Sequence, residues 1–162
     1  MPFSKDWSRW WRGFLGTSPN INLKAIEILR QRYGEEMAAI ARLTKHAGKM
    51  HYSQFREKLL HIAADKSKQV NWISEKIIAL GGKLPEVAEH RSTDGSSWQY
   101  LRKDLEKESR SADRLQEEIW KIKSDYPDIG EFLQLIFEKN KKHRQEIKDM
   151  LMRSDAFALS LA

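Results

Sequence analysis

Six residues carry whatever chemistry this chain can perform: Glu36, Lys66, Gln69, Glu108, Asn140 and His143. Each stands where the spacing of apolar residues on a helix calls for another apolar side chain. Two glutamates facing one another could hold a divalent cation or share a proton. An imidazole beside them adds a metal ligand or a base. The lysine changes that chemistry, because an ammonium among apolar side chains is expensive to desolvate unless carboxylates pair with it. Glu36 and Glu108 supply the carboxylates, and Gln69, Asn140 and His143 supply donors and acceptors.

Four long helices must position these residues. The one around Lys66 carries Phe55, Leu59, Ile62, Ile73, Ile77 and Leu80 at steps of three and four, with Lys66 and Gln69 completing the period. It begins near Tyr52 and stops at Gly81-Gly82, with Pro85 beyond. The helix before it runs from Asn20 or Asn22 to His46, on a seam of Ile26, Leu29, Tyr33, Ile40, Leu43 and Ala47 with Glu36 among them. A short turn at Gly48 makes these two an antiparallel pair. The third helix starts at Ser96 or Ser97, either of which can cap it, on a seam of Trp98, Leu101, Leu105, Glu108, Ala112, Leu115, Ile119 and Ile122. Pro127 ends it and Asp128 caps the fourth, which carries Ile129, Leu133, Ile136, Asn140, His143, Ile147 and Met150 or Leu151.

The stretch GGKLPEVAEHRSTDGSS has no helical periodicity and is long enough to cross the domain from end to end. One such crossover between the second and third of four helices is the ferritin-type topology. The expectation is an all-α, ferritin-like antiparallel four-helix bundle over residues 20–155, preceded by a short amphipathic helix within residues 1–19. An apolar tail, residues 156–162, extends the last helix, docks on the bundle or meets a partner.

In these features the chain resembles the ferritin-like di-iron carboxylate proteins of the bacterioferritin and rubrerythrin type. The echoes are Glu36-Met-Ala-Ala-Ile-Ala-Arg-Leu-Thr-Lys-His46, Trp72-Ile-Ser-Glu-Lys-Ile-Ile-Ala-Leu-Gly-Gly82 and Asp104-Leu-Glu-Lys-Glu108. In that family two helices each give a Glu and two give Glu-x-x-His. The resemblance implies that Glu36 and Glu108 match the single glutamates and His143 the last histidine. Lys66 and Asn140 then stand where bridging glutamates belong, and Gln69 where a histidine belongs. The residues three before His46, His51, His61, His90 and His143 are Leu43, Gly48, Lys58, Val87 and Asn140, so the chain has no Glu-x-x-His. This argues against a ferroxidase and for a degenerate di-iron site, metal-free and centred on Lys66, in a protein with a structural or binding role. The alternative is a metal-binding, iron-handling protein in which Glu108 and His143, with Asn140 and water, hold one iron or zinc, or in which the ligands have moved. His61 and Asp65 share a helix face and Glu138 lies near His143, but these fall off the seams and read as surface residues.

Of 162 residues about a third are charged, the formal net charge is +6, and there is no cysteine. A thiolate metal site, a cysteine nucleophile and a disulfide framework are thereby excluded. No apolar run is long enough to span a bilayer, and the N-terminus lacks the apolar core of a signal peptide, so the expected location is the cytoplasm. Trp7, Trp10, Trp11 and Phe14 line one side of residues 4–15, with Lys5, Arg9 and Arg12 mostly off it. That face suits a protein partner or a membrane surface, while packing on the domain itself or on a second subunit is the plainer reading. The basic run Lys139–Arg144 turns Asn140 and His143 inward, which argues against nucleic-acid binding. The aromatic segment and the apolar tail favour a homo-oligomer, a dimer rather than a cage.

Overall fold

The computed structural model describes residues 19–160 apart from 90, 92 and 93. The Trp7, Trp10, Trp11 and Phe14 segment and the last two residues of the tail lie outside the described residues. Within them the secondary structure is four helices: α1 (Pro19–Lys49), α2 (Ser53–Ala79), α3 (Ser97–Ile122) and α4 (Pro127–Ser160). Tail residues 156–160 continue α4.

The helices pack as two antiparallel hairpins, α1 with α2 and α3 with α4. Residues 80–96 join them. α2 is 27 residues long, about 40 Å at 1.5 Å per residue. An extended connection of this length reaches about 55 Å. The chain can therefore leave one end of the bundle and enter α3 at the other. The contacts confirm that it does: Arg42 meets Asp104, Arg32 meets Glu118 and Lys24 meets Asp125. Rising numbers in α1 thus meet falling numbers in α3, which makes α2 and α3 parallel.

Local chemistry sets the helix ends. Gly81 has φ of 85°, a left-handed conformation suited to glycine, and the Gly82 amide donates to the Ile77 carbonyl at 2.9 Å. Ser96 caps α3: its hydroxyl accepts from the Gln99 amide, and the Gln99 side chain accepts from the Ser96 amide. That reciprocal box selects Ser96 over Ser97. Two expected boundaries are corrected. Gly48 lies inside α1, which runs on to Lys49. Pro127 does not end α3, which stops at Ile122; it opens α4, where its fixed φ suits the first helical position and its missing N–H costs nothing.

The apolar core falls into two clusters. One holds Ala25, Leu29, Ile73, Ile77, Leu115, Ile122, Ile129, Phe132, Leu133 and Ile136. The other, toward the opposite end, holds Leu43, Ala47, Met50, Phe55, Leu59, Ile62, Tyr100, Leu101, Ile147 and Met150. The six polar residues singled out above are all buried and lie in sequence between the residues of these two clusters on every helix.

The seams of α2 and α4 are as expected, except that Leu80 is only partly covered. Those of α1 and α3 are rotated. Ile26, Tyr33 and Ile40 are half-buried, and so are Trp98, Leu105 and Ile119. Arg32, Arg42 and His46 on α1, with Asp104 and Glu118 on α3, take the interior instead. Cross-helix ion pairs make that rotation tolerable, because each buried charge finds an opposite one.

Candidate functional site

Lys66 is the centre of the polar layer. Its Nζ lies 2.8 Å from Glu36 Oε2, 3.0 Å from Glu108 Oε2 and 3.3 Å from Asn140 Oδ1, to which it donates. Asn140 Nδ2 donates to Glu36 Oε1 at 2.9 Å. Three side chains from three helices thus close on the ammonium carried by the fourth. The three donors of the ammonium match three oxygens.

The glutamates carry second cations. Arg32 Nη1 lies 3.6 Å from Glu36 Oε1. The same guanidinium donates to Glu118 Oε2 through Nε at 3.1 Å and Nη2 at 2.9 Å, and to the Ser111 hydroxyl at 2.7 Å. Arg42 donates from Nη2 to Glu108 Oε1 at 3.1 Å and from Nε to Asp104 Oδ1 at 2.8 Å. His46 Nδ1 lies 2.8 Å from both oxygens of Asp104. A continuous buried ladder of charge therefore runs along α1 and α3 through Lys66.

Electrostatics follow from this geometry. Burial works to raise the Glu36 carboxyl, but Lys66 and Arg32 outweigh it and hold the group below the usual carboxylate range. Burial likewise works to lower the Lys66 ammonium, and Glu108 and Glu36 outweigh it, so Lys66 stays charged above its ordinary range. Glu118 goes the other way: burial pushes it up against the pull of Arg32.

Two of the six expected residues stand apart from the network. Gln69 is fully buried, yet neither its amide nitrogen nor its oxygen has a hydrogen-bond partner among the described residues. His143 turns from the glutamates. Its Nε2 lies 3.3 Å from Asp65 Oδ2, and its Nδ1 has no hydrogen-bond partner among the described residues. Burial first, then Lys66, push the imidazole below its ordinary value. The other surface residues considered fall out differently. His61 and Asp65 join the same corner, with His61 Nε2 at 3.7 Å from Asp65 Oδ2. Glu138 accepts from Gln134 on its own helix face. As the side chains stand, no three His, Asp or Glu among the described residues close around a common point as metal ligands would.

Apolar period alone misses Arg32, Arg42, His46, Asp104 and Glu118. The signal that could find them is complementarity: cations at steps of ten and four on α1 meet acids at steps of four and ten on α3, in reverse order.

Four helices, one long crossover and a polar layer at mid-depth define the class: this is a ferritin-like four-helix bundle. Among solved structures, the fold is similar to that of the bacterioferritin of Desulfovibrio desulfuricans, solved with its diiron site in different catalytic states. The TM-score is 0.77 at 20% identity, over 87% of this chain and 85% of that one. No family model matches the sequence, and no curated protein matches it. None of the described helices is long and apolar enough to cross a membrane.

Proposed function

We propose that this protein is a ferritin-like bundle whose di-iron site is replaced by a Lys66-centred ionic network, and that it acts through structure or binding rather than by oxidising iron. The observation that carries this reading is the Lys66 ammonium within 3.0 Å of both Glu36 and Glu108. Its charge stands where a cation would otherwise balance the two carboxylates. The donor set does not fit a pair of irons: two glutamates remain, Asn140 and Gln69 are weak neutral ligands, and an approaching divalent ion meets an ammonium. No reaction step is therefore assigned to this centre.

The protein works as a homo-oligomer, a dimer, in the cytoplasm. Exposed Leu60 and Ile78 support the association, because they lie about five turns apart on one face of α2. The alternative, an iron-handling protein using Glu108 and His143, draws on the likeness to a diiron bacterioferritin. Protein grown with added iron separates the two. Metal analysis is expected to find iron far below one per chain, and added ferrous iron should oxidise no faster than in buffer. Near-stoichiometric iron with accelerated oxidation would establish the alternative.

A further inference from the structure

The last turns of α3 hold an apolar surface that the bundle leaves uncovered. Trp120 is 73% exposed, the highest value for a large apolar residue among the described ones. Lys123 Nζ lies 4.7 Å from its ring centroid. Beside it a groove of about 450 Å³ is lined by Asp113, Gln116, Glu117 and Lys121. Asp113, Glu117 and Trp120 recur at steps of four and three, so they share one face of the helix. Neither acid has an ion pair among the described residues.

The chain enters the bundle at this same end. Lys24, five residues into α1 and so about 7.5 Å from its start, donates to the Lys121 carbonyl at 3.0 Å and to Asp125 Oδ2 at 3.3 Å. Residues 1–18 lead into Pro19, where α1 begins. Phe14 stands five residues before Pro19 and Trp11 eight, which is up to about 17 and 28 Å of extended chain. Both can reach the groove. Exposed Leu60 and Met152 adjoin the other apolar cluster, at the far end of a bundle about 40 Å long. The segment also suits the groove in charge. Trp7, Trp10, Trp11 and Phe14 line one side of it, while Lys5, Arg9 and Arg12, against the single acid Asp6, lie mostly off that side. Aromatic rings laid over Trp120 remove apolar surface from water on both partners. The same placement brings the flanking guanidiniums to Asp113 and Glu117. Leu23 and Ile78 are exposed at this end as well, but they do not line the groove.

We propose that residues 4–15 fold back on their own chain, with Trp11 and Phe14 seated over Trp120 and with Arg9 and Arg12 paired to Asp113 and Glu117. The segment is then an intramolecular strap across the end of α3. While docked, it withholds its aromatic side from membranes and from other proteins. Nothing in this arrangement depends on the Lys66 network or on metal content, so failure here and failure of the function proposed above are distinguishable.

The test uses the full chain with 5-fluorotryptophan at its six tryptophans, the Trp120 signal being identified by its loss in Trp120→Phe. In fluorine NMR, Trp11→Ala with Phe14→Ala should shift the Trp120 signal and raise its sensitivity to solvent, at every protein concentration. Melting gives a second readout. Trp120→Ala should lower Tm by several degrees, although a surface side chain with no contact to lose would change it little. In the Trp11→Ala, Phe14→Ala background the same substitution should lower Tm no further, because the contact is already gone. Asp113→Lys with Glu117→Lys should also lower Tm, and Arg9→Glu with Arg12→Glu in the same chain should restore it. A Trp120 signal equal in wild type and variant overturns the proposal. So does a difference that vanishes on dilution, which would seat the segment on a second copy. A response of the other tryptophans to anionic lipid vesicles, with Trp120 already at its variant position, would seat the segment on a membrane and overturn it too.

Discussion

Replacing Lys66 by methionine removes the central charge while nearly keeping the volume, so the cost reports electrostatics rather than a cavity. The lysine gives up two charge-assisted contacts, at 2.8 and 3.0 Å, and a weaker one at 3.3 Å. Removing one member of a buried ion pair costs about 3–5 kcal/mol. Each glutamate keeps a second cation, Arg32 at 3.6 Å from Glu36 and Arg42 at 3.1 Å from Glu108. The expected loss is therefore at the low end, about 3 kcal/mol. In a domain of this size that is a fall of roughly 6–12 °C in Tm. The pH dependence sharpens the test. Lys66 has a raised value in the folded state, so its contribution is whole below about 10.5 and fades only as pH rises through the folded value. Glu36 has a lowered value, so its contribution is whole above about 4.5 and is lost as pH falls through the folded value. In the variant one glutamate takes up a proton to relieve the repulsion. The gap between wild type and variant should thus be widest near pH 7 and narrow toward pH 5. Circular dichroism melts at both pH values measure it. Equal Tm at pH 7 would place Lys66 outside the core, and a gap independent of pH would show that charge is not its cause.

Lys76 offers the opposite case. Buried beside Phe132, with Nζ 4.2 Å from the ring centroid, its ammonium is pushed by burial from 10.5 to about 7. Between these values the unfolded chain binds more protons, so stability should climb with pH from 7 to 10; Lys76→Met should raise Tm by several degrees at pH 6 and by little at pH 10. A Cβ on Gly82 would stand 2.7 Å from Ile26 Cγ2 and 3.0 Å from Ile77 Cγ2. Gly82→Ala should cost about 1–3 kcal/mol through overpacking, read as a lower urea midpoint with an unchanged slope.

Legibility in the sequence differed between the helices for a physical reason. α2 and α4 bury mostly hydrocarbon, so their apolar period points inward and their polar breaks are plain. α1 and α3 share a face where Arg32 meets Glu118 and Arg42 meets Asp104. A period count assigns such residues to solvent, and so it turns both helices toward Tyr33, Ile40, Leu105 and Ile119. The burial of an arginine is decided by an acid on another helix, which spacing within one helix cannot express. The Lys66, Glu36, Glu108 and Asn140 cluster was legible because each member interrupts an otherwise apolar seam. The turn of His143 toward Asp65 was not, since it depends on a rotamer and on the angle between α2 and α4.

The crossover at 80–96 has a consequence for how the two hairpins find each other. Every buried lysine and arginine among the described residues, Arg32, Arg42, Lys66 and Lys76, belongs to the α1–α2 hairpin. Three of the four buried carboxylates, Asp104, Glu108 and Glu118, belong to the α3–α4 hairpin. Before they dock, the halves present inner faces of opposite sign, joined by a tether long enough to let them turn. Opposite potentials speed such an encounter and orient it. Two copies of the first hairpin would instead bring cation against cation, a juxtaposition that costs several kcal/mol. The bundle is in this sense a heterodimer written on one chain, with the partner's identity encoded in charge and the hydrocarbon layers left to complete the fit.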